Sequence, residues 1–184
     1  MVPAGYMAKR VVARPDWLRA ERVSSIYSVS GCISKNFTDD YFTFWKHNGY
    51  WLFDSPEVII GIARENGIDL AETVLFFYEV YEQDFDSGEW MRFEPEPSFG
   101  TNVSVPEAKV IEGYDVVTFS QQTSPECSPL SCNHLASKVE ANSRCLLQSF
   151  EEARKVLEDG TFDHSEPGPY RIFAVYSVAW PDTV

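Results

Sequence analysis

Leu52-Phe53-Asp54-Ser55-Pro56-Glu57 and Leu146-Leu147-Gln148-Ser149-Phe150-Glu151 lie 94 positions apart and share one plan: a short apolar run, a serine, and an acid at the second helical position. A serine ahead of the first helical turn offers its oxygen to backbone N–H groups that have no partner inside the helix, and an early carboxylate suits the positive end of the helix dipole. Pro56 strengthens the first start, because proline fits the first helical position, and Glu152 makes the second a capping box. Gly67 and Gly160 are placed to end the two helices.

Working outward, each predicted helix leads into a strand. The first is Val74 to Tyr81 and the second Tyr170 to Val178, both rich in β-branched and aromatic residues. Upstream, Val23 to Ser30 and Tyr114 to Ser120 read as strands, and each is followed by a longer excursion that returns through a short apolar run. The pattern predicts an α+β fold: a duplicated β-excursion-β-α-β unit forming a pseudo-twofold, largely antiparallel sheet with helices packed on it. Residues 23–184 then form one domain, with halves 23–97 and 108–184. Residues 1–22, broken by Pro3 and Pro15 and without a sustained period, are expected as a poorly ordered N-terminal arm.

Composition bounds the function. Of 184 residues, 44% are hydrophobic and 15% aromatic, which is ample for a core and argues against disorder of the body. No run reaches the roughly 20 apolar residues of a membrane span, and no secretory signal is recognisable, so a cytoplasmic location is expected, with no membrane partner. The net charge of −13 is uneven: residues 1–22 carry five basic and two acidic side chains, leaving −16 on the rest. Such a surface repels phosphate backbones and excludes nucleic acid as a partner of the body, while it suits a basic protein.

The acid is densest after the first strong strand. Glu79, Glu82, Asp84, Asp86, Glu89, Glu94 and Glu96 are interleaved with Tyr81, Phe85, Trp90, Met91 and Phe93. Charge steers an encounter and aromatic anchors hold it, so Glu79, Glu82, Asp84, Asp86, Glu89, Trp90 and Phe93 are the candidate partner-binding residues. The bland alternative is a solvated hairpin whose aromatics turn inward.

Three of the four cysteines fall in Cys127-x4-Cys132-x-His134-x10-Cys145. Thiolates and imidazole are zinc ligands, and Cys127, Cys132, His134 and Cys145 would close a structural tetrahedron. The spacing departs from common zinc ribbons and from the Cys-x-x-Cys redox motif. A Cys127–Cys132 redox pair and ordinary free thiols, with Cys145 in the core, therefore stand beside the zinc reading. The aromatic excursion, residues 36–54, carries Asp39, Asp40, Lys46, His47 and Asp54 among Tyr41, Trp45, Tyr50 and Trp51, which would suit a small-molecule ligand or an enzyme pocket. No phosphate loop, His-Glu-x-x-His or nucleophile elbow is present, so binding is expected rather than catalysis. The preferred reading is a small acidic binding protein, an inhibitor, immunity-type partner or adaptor, that docks a basic protein.

Overall fold

The computed structural model describes residues 1–38, 47–93, 101–119 and 125–181. In chain order the elements are β1 (Val2–Arg10), β2 (Val12–Ala13), β3 (Ser25–Ile26), β4 (Lys35–Asn36), α1 (Pro56–Asn66), β5 (Val74–Val80), β6 (Gln83–Asp86), β7 (Glu89–Arg92), β8 (Val110–Thr118), α2 (Pro129–Cys132), α3 (Phe150–Glu158) and β9 (Tyr170–Val178). The fold is α+β, with three α-helices among the described residues and antiparallel pairing between the strands.

The main sheet runs β4-β1-β5-β9-β6-β7, with β8 also paired to β9. Strand β9 carries most of this order. Residues Phe173–Val178 pair with β5, Tyr170 pairs with Phe85 of β6, and Tyr170–Ser177 pair with β8. A strand held on both edges and covered on both faces has no solvent side, so it reads as a continuous apolar run. Phe173 and Val175 join one core with Phe76, Phe77, Ile59 and Ala63, whereas Tyr170 and Ile172 join a second with Val116, Ala153 and Leu157. Helix α1 thus closes one core and α3 the other.

The helices follow their sequence signals. Ser55 stands at the N-cap position of α1 but its side chain makes no cap hydrogen bond among the described residues; Pro56 opens the helix, and Gly67, at φ 64°, ends it by donating its N–H to the Ala63 carbonyl. For α3, Ser149 Oγ accepts from the Glu152 N–H at 3.1 Å, while Glu152 reaches back to the Gln148 N–H at 3.0 Å. Strands β5 and β9 stand where expected; β8 begins four residues earlier, at Val110.

Two expectations are corrected. Residues 1–22 are not a loose arm: β1 lies between β4 and β5, with Ala4 through Lys9 buried. An interior strand shows no alternation, and Pro3, Gly5 and a buried lysine break its apolar run, which hides it from pattern reading. The predicted strand at residues 23–30 shrinks to Ser25–Ile26 paired with β2. Beyond Ile26 the Tyr27 N–H donates to the Arg144 carbonyl (3.0 Å), and side chains hold the backbone that follows: Lys9 Nζ donates to the carbonyls of Val29 (2.9 Å) and Ser30 (2.6 Å), and the Val29 N–H donates to Asp115.

Two turns share one hydrogen-bond pattern. Asn48 Oδ1 accepts from the N–H groups of Tyr50 and Leu52, and its Nδ2 donates to the Ala4 carbonyl. Asn142 Oδ1 accepts from Arg144 and Leu146, and its Nδ2 donates to Glu112. Beside each turn the sheet strand bulges at a glycine, Gly5 (φ 138°) and Gly113 (φ 145°), where a Cβ would sit 2.8 Å and 2.7 Å from Leu52 Cβ and Leu146 Cβ. Each strand then forms a bridge to the returning chain, Tyr6 with Phe53 and Tyr114 with Leu147.

Candidate functional site

The seven expected partner-binding residues separate into two environments. Glu82 and Glu89 are exposed and Asp86 half-buried on the β6–β7 hairpin, whose register sets Asp86 opposite Glu89. Glu79 lies elsewhere: its carboxylate takes the Lys109 ammonium and, at 2.7 Å, the Tyr176 hydroxyl. Burial works to raise the Glu79 carboxyl, but these two donors take it below its ordinary value. Asp84 turns inward toward Arg171 at 4.0 Å, and burial raises its carboxyl against that pull. Phe93 lies on the Arg171 guanidinium, which Phe119 covers from 4.0 Å. Trp90 packs on Tyr81 and Phe85 and donates its indole N–H to Glu158 at 2.9 Å. The aromatic side chains expected as anchors are therefore used in the fold.

What remains at the hairpin is acid around a hollow. The tip residues Asp86, Ser87 and Gly88 face the end of α3 and the loop before β9, and together they line a concavity of about 470 Å³. Four carboxylates, Asp86, Glu158, Asp163 and Glu166, belong to its lining, and no lysine or arginine does among the described residues. Glu158 lies below its ordinary value because Trp90 and then Arg154 donate to it. Glu166 accepts from Asn133 Nδ2 at 3.0 Å. Three of these acids come from the second half of the chain, beyond the stretch that the sequence singled out.

The cysteines are also regrouped. Cys127 and Cys132 come together with Cys32, their sulfur atoms all within 4.8 Å of one another. The expected zinc ligands His134 and Cys145 are not part of this group. His134 is exposed, at φ 62°, with its ring against Trp17, and Cys145 is a buried core residue at 2% exposure whose thiol burial pushes up. The spacing put both in reach along the chain, but a left-handed residue after α2 turns the imidazole outward, and Cys145 closes the Asn142 turn.

The cluster is built on β8. The Thr118 N–H donates to the Cys127 carbonyl (2.9 Å) and the Cys127 N–H to Thr118 Oγ1 (3.2 Å). Cys132 ends α2, where its N–H donates to the Ser128 carbonyl. Cys32 enters from the segment after β3, with Sγ 3.0 Å from the Glu126 carbonyl oxygen. One fully buried carboxylate grips both segments: Asp115 Oδ2 accepts from the Val29 N–H (2.8 Å) and the Ser128 hydroxyl (2.6 Å). Burial lifts that carboxyl to about 6, against the pull of these donors and of Lys9. With the three sulfurs this close their ionisations are linked, so one thiol, Cys32, drops below the ordinary thiol range while Cys127 and Cys132 rise.

Of the aromatic excursion, residues 39–46 lie outside the described residues, as do Glu94 and Glu96. In the described part His47 stacks on Trp51 at 3.8 Å, and Asp54 accepts from Asn48 Nδ2 and the Asn102 N–H. Sequence reasoning missed Cys32, Lys9 and Asp115, for which spacing held no signal. No protein family, curated protein or solved structure matches the chain.

Proposed function

We propose that the protein is a small acidic binding protein, an inhibitor, immunity-type partner or adaptor, that receives an arginine- or lysine-bearing segment of a basic protein in the concavity between the β6–β7 hairpin and the loop after α3. The observation that carries the reading is the convergence of Asp86, Glu158, Asp163 and Glu166 on one hollow whose described lining holds no basic side chain. A net charge of −13 adds long-range attraction. Trp90 then acts from behind, holding Glu158 in place, and the glutamates Glu82 and Glu89 steer.

Titration of the labelled protein with an arginine-rich peptide, followed by amide shifts, tests this. Changes are expected to centre on residues 85–88 and 157–168, to weaken with salt, and to fall at least several-fold in affinity in Asp86→Asn/Asp163→Asn. Shifts spread evenly over the acidic surface, or a double variant that binds as the wild type does, would remove the concavity from the reading.

We further infer that the chain is a duplicated β-excursion-β-α-β unit with a pseudo-twofold sheet. The matched turns at Asn48 and Asn142, the bulged Gly5 and Gly113, and the helices that follow, each with a serine at its N-cap position, support it. On this reading the cysteine cluster and the acidic concavity each draw residues from both units.

A further inference from the structure

We propose that Cys32, Cys127 and Cys132 form a site for one thiophilic d10 cation, Zn(II) or Cu(I), with one coordination face left open beside Cys32. Thiolate sulfur is the ligand such cations select, and three sulfurs within 4.8 Å approach the arrangement a single ion needs. A zinc ion about 2.3 Å from each of three sulfurs in a tetrahedral set holds them roughly 3.8 Å apart. Closure around the ion therefore takes shifts of about 1 Å.

Three further observations fit a metal better than chance proximity. The ligands come from two separate segments, and Asp115 at full burial fixes both through Val29 and Ser128, as an outer-shell group holds ligands in place. Lys9, also fully buried, holds the Cys32 segment through the carbonyls of Val29 and Ser30, which places its ammonium against the backbone two residues before Cys32. Three thiolates around a dication leave one net negative charge, which that ammonium offsets. Finally, the cluster is reachable, because Cys32 is exposed and Cys127 and Cys132 are only partly buried. Three protein ligands and an approachable side are the makeup of an open site, in which solvent or a small anion completes the zinc tetrahedron, whereas Cu(I) is satisfied by the three sulfurs.

The test uses the full-length protein, fully reduced and stripped of metal, under anaerobic conditions. It is titrated with Co(II) as a zinc surrogate and, separately, with Cu(I). One equivalent of either is expected to saturate the site, with an ultraviolet thiolate-to-metal charge-transfer band that Zn(II) removes from the cobalt form. Cys32→Ser, a change at an exposed side chain that leaves the far-ultraviolet circular dichroism unaltered, is expected to weaken binding at least 100-fold. His134→Ala and Cys145→Ser are expected to keep one-to-one binding. No saturable uptake of either ion, or uptake that survives Cys32→Ser, or uptake lost in His134→Ala, would overturn the assignment.

Discussion

At the scale of single residues, the decisive groups are charges placed inside. Asp115 has a folded-state value of about 6 against an ordinary 3.8, mainly through burial. The folded state then binds that proton more tightly than the unfolded chain, so the group's contribution is fully present below about pH 4 and is lost as pH rises through about 6. Two units correspond to roughly 3 kcal/mol. Urea unfolding in the presence of a chelator should show the wild type losing roughly 2–3 kcal/mol relative to Asp115→Asn between pH 4 and 6.5; parallel curves would mean an ordinary carboxylate. Arg171 is 1% exposed, lies between Phe93 and Phe119, and has burial pulling its guanidinium down to about 9. Among the described residues its Nε and Nη1 find no hydrogen-bond partner, and neither does Asp84 Oδ1. Arg171→Met alone strands the buried carboxylate, so Asp84→Asn in that background should be far less costly than in the wild type, with a coupling of about 1–3 kcal/mol. None of this was legible beforehand: nothing in Tyr114-Asp115-Val116 or in Tyr170-Arg171-Ile172 marks the charged side chain as a buried one.

At the scale of elements, α1 and α3 were readable and the first strand was not. Capping depends on residues within four positions of one another, so Ser55, Pro56 and Ser149 announced α1 and α3 directly. Removing the α3 cap with Ser149→Ala should cost about 1 kcal/mol in chemical denaturation. Glycines separate by environment. Gly113, at φ 145° with a prospective Cβ 2.7 Å from both Leu146 Cβ and the Leu147 carbonyl, cannot take a side chain without moving the turn, and Gly113→Ala should cost at least about 2–3 kcal/mol. Gly61, inside α1 with open space around it, should do the opposite, Gly61→Ala adding about 0.5–1 kcal/mol. Equal effects at the two positions would contradict the bulge geometry. Strand β1 escaped notice because its hydrogen bonds go to β4 and β5, segments distant in sequence, and its burial on both faces removes the period that identifies a strand.

At the scale of the whole molecule, the chain combines two cores, one closed by α1 and one by α3, with an acidic exterior. No helix among the described residues is long and apolar enough to cross a membrane. If the three-cysteine site binds as proposed, loading it acts on the entire fold, because the unfolded chain does not hold three sulfurs together. A free metal concentration 100 times the dissociation constant adds about 2.7 kcal/mol, which for a chain of this size raises the melting temperature by roughly 5–10 °C. Scanning calorimetry with zinc and with a chelator measures it, and Cys32→Ser should flatten the difference.

What the sequence determined by itself was local: the starts of α1 and α3, the strands β5 and β9, and a net acid excess. These follow from interactions between near neighbours or from composition, and both survive without knowledge of the fold. Tertiary structure alone decided that residues 1–22 supply an interior strand, that Trp90 and Phe93 are packing groups, and that Cys32 replaces His134 and Cys145 beside Cys127 and Cys132. It also brought Asp86 to Glu158, Asp163 and Glu166. The reason is the same in each case: sheet pairing and core burial join segments with no fixed sequence spacing, so the meeting of distant side chains is set by β8 and β9 and not by any motif.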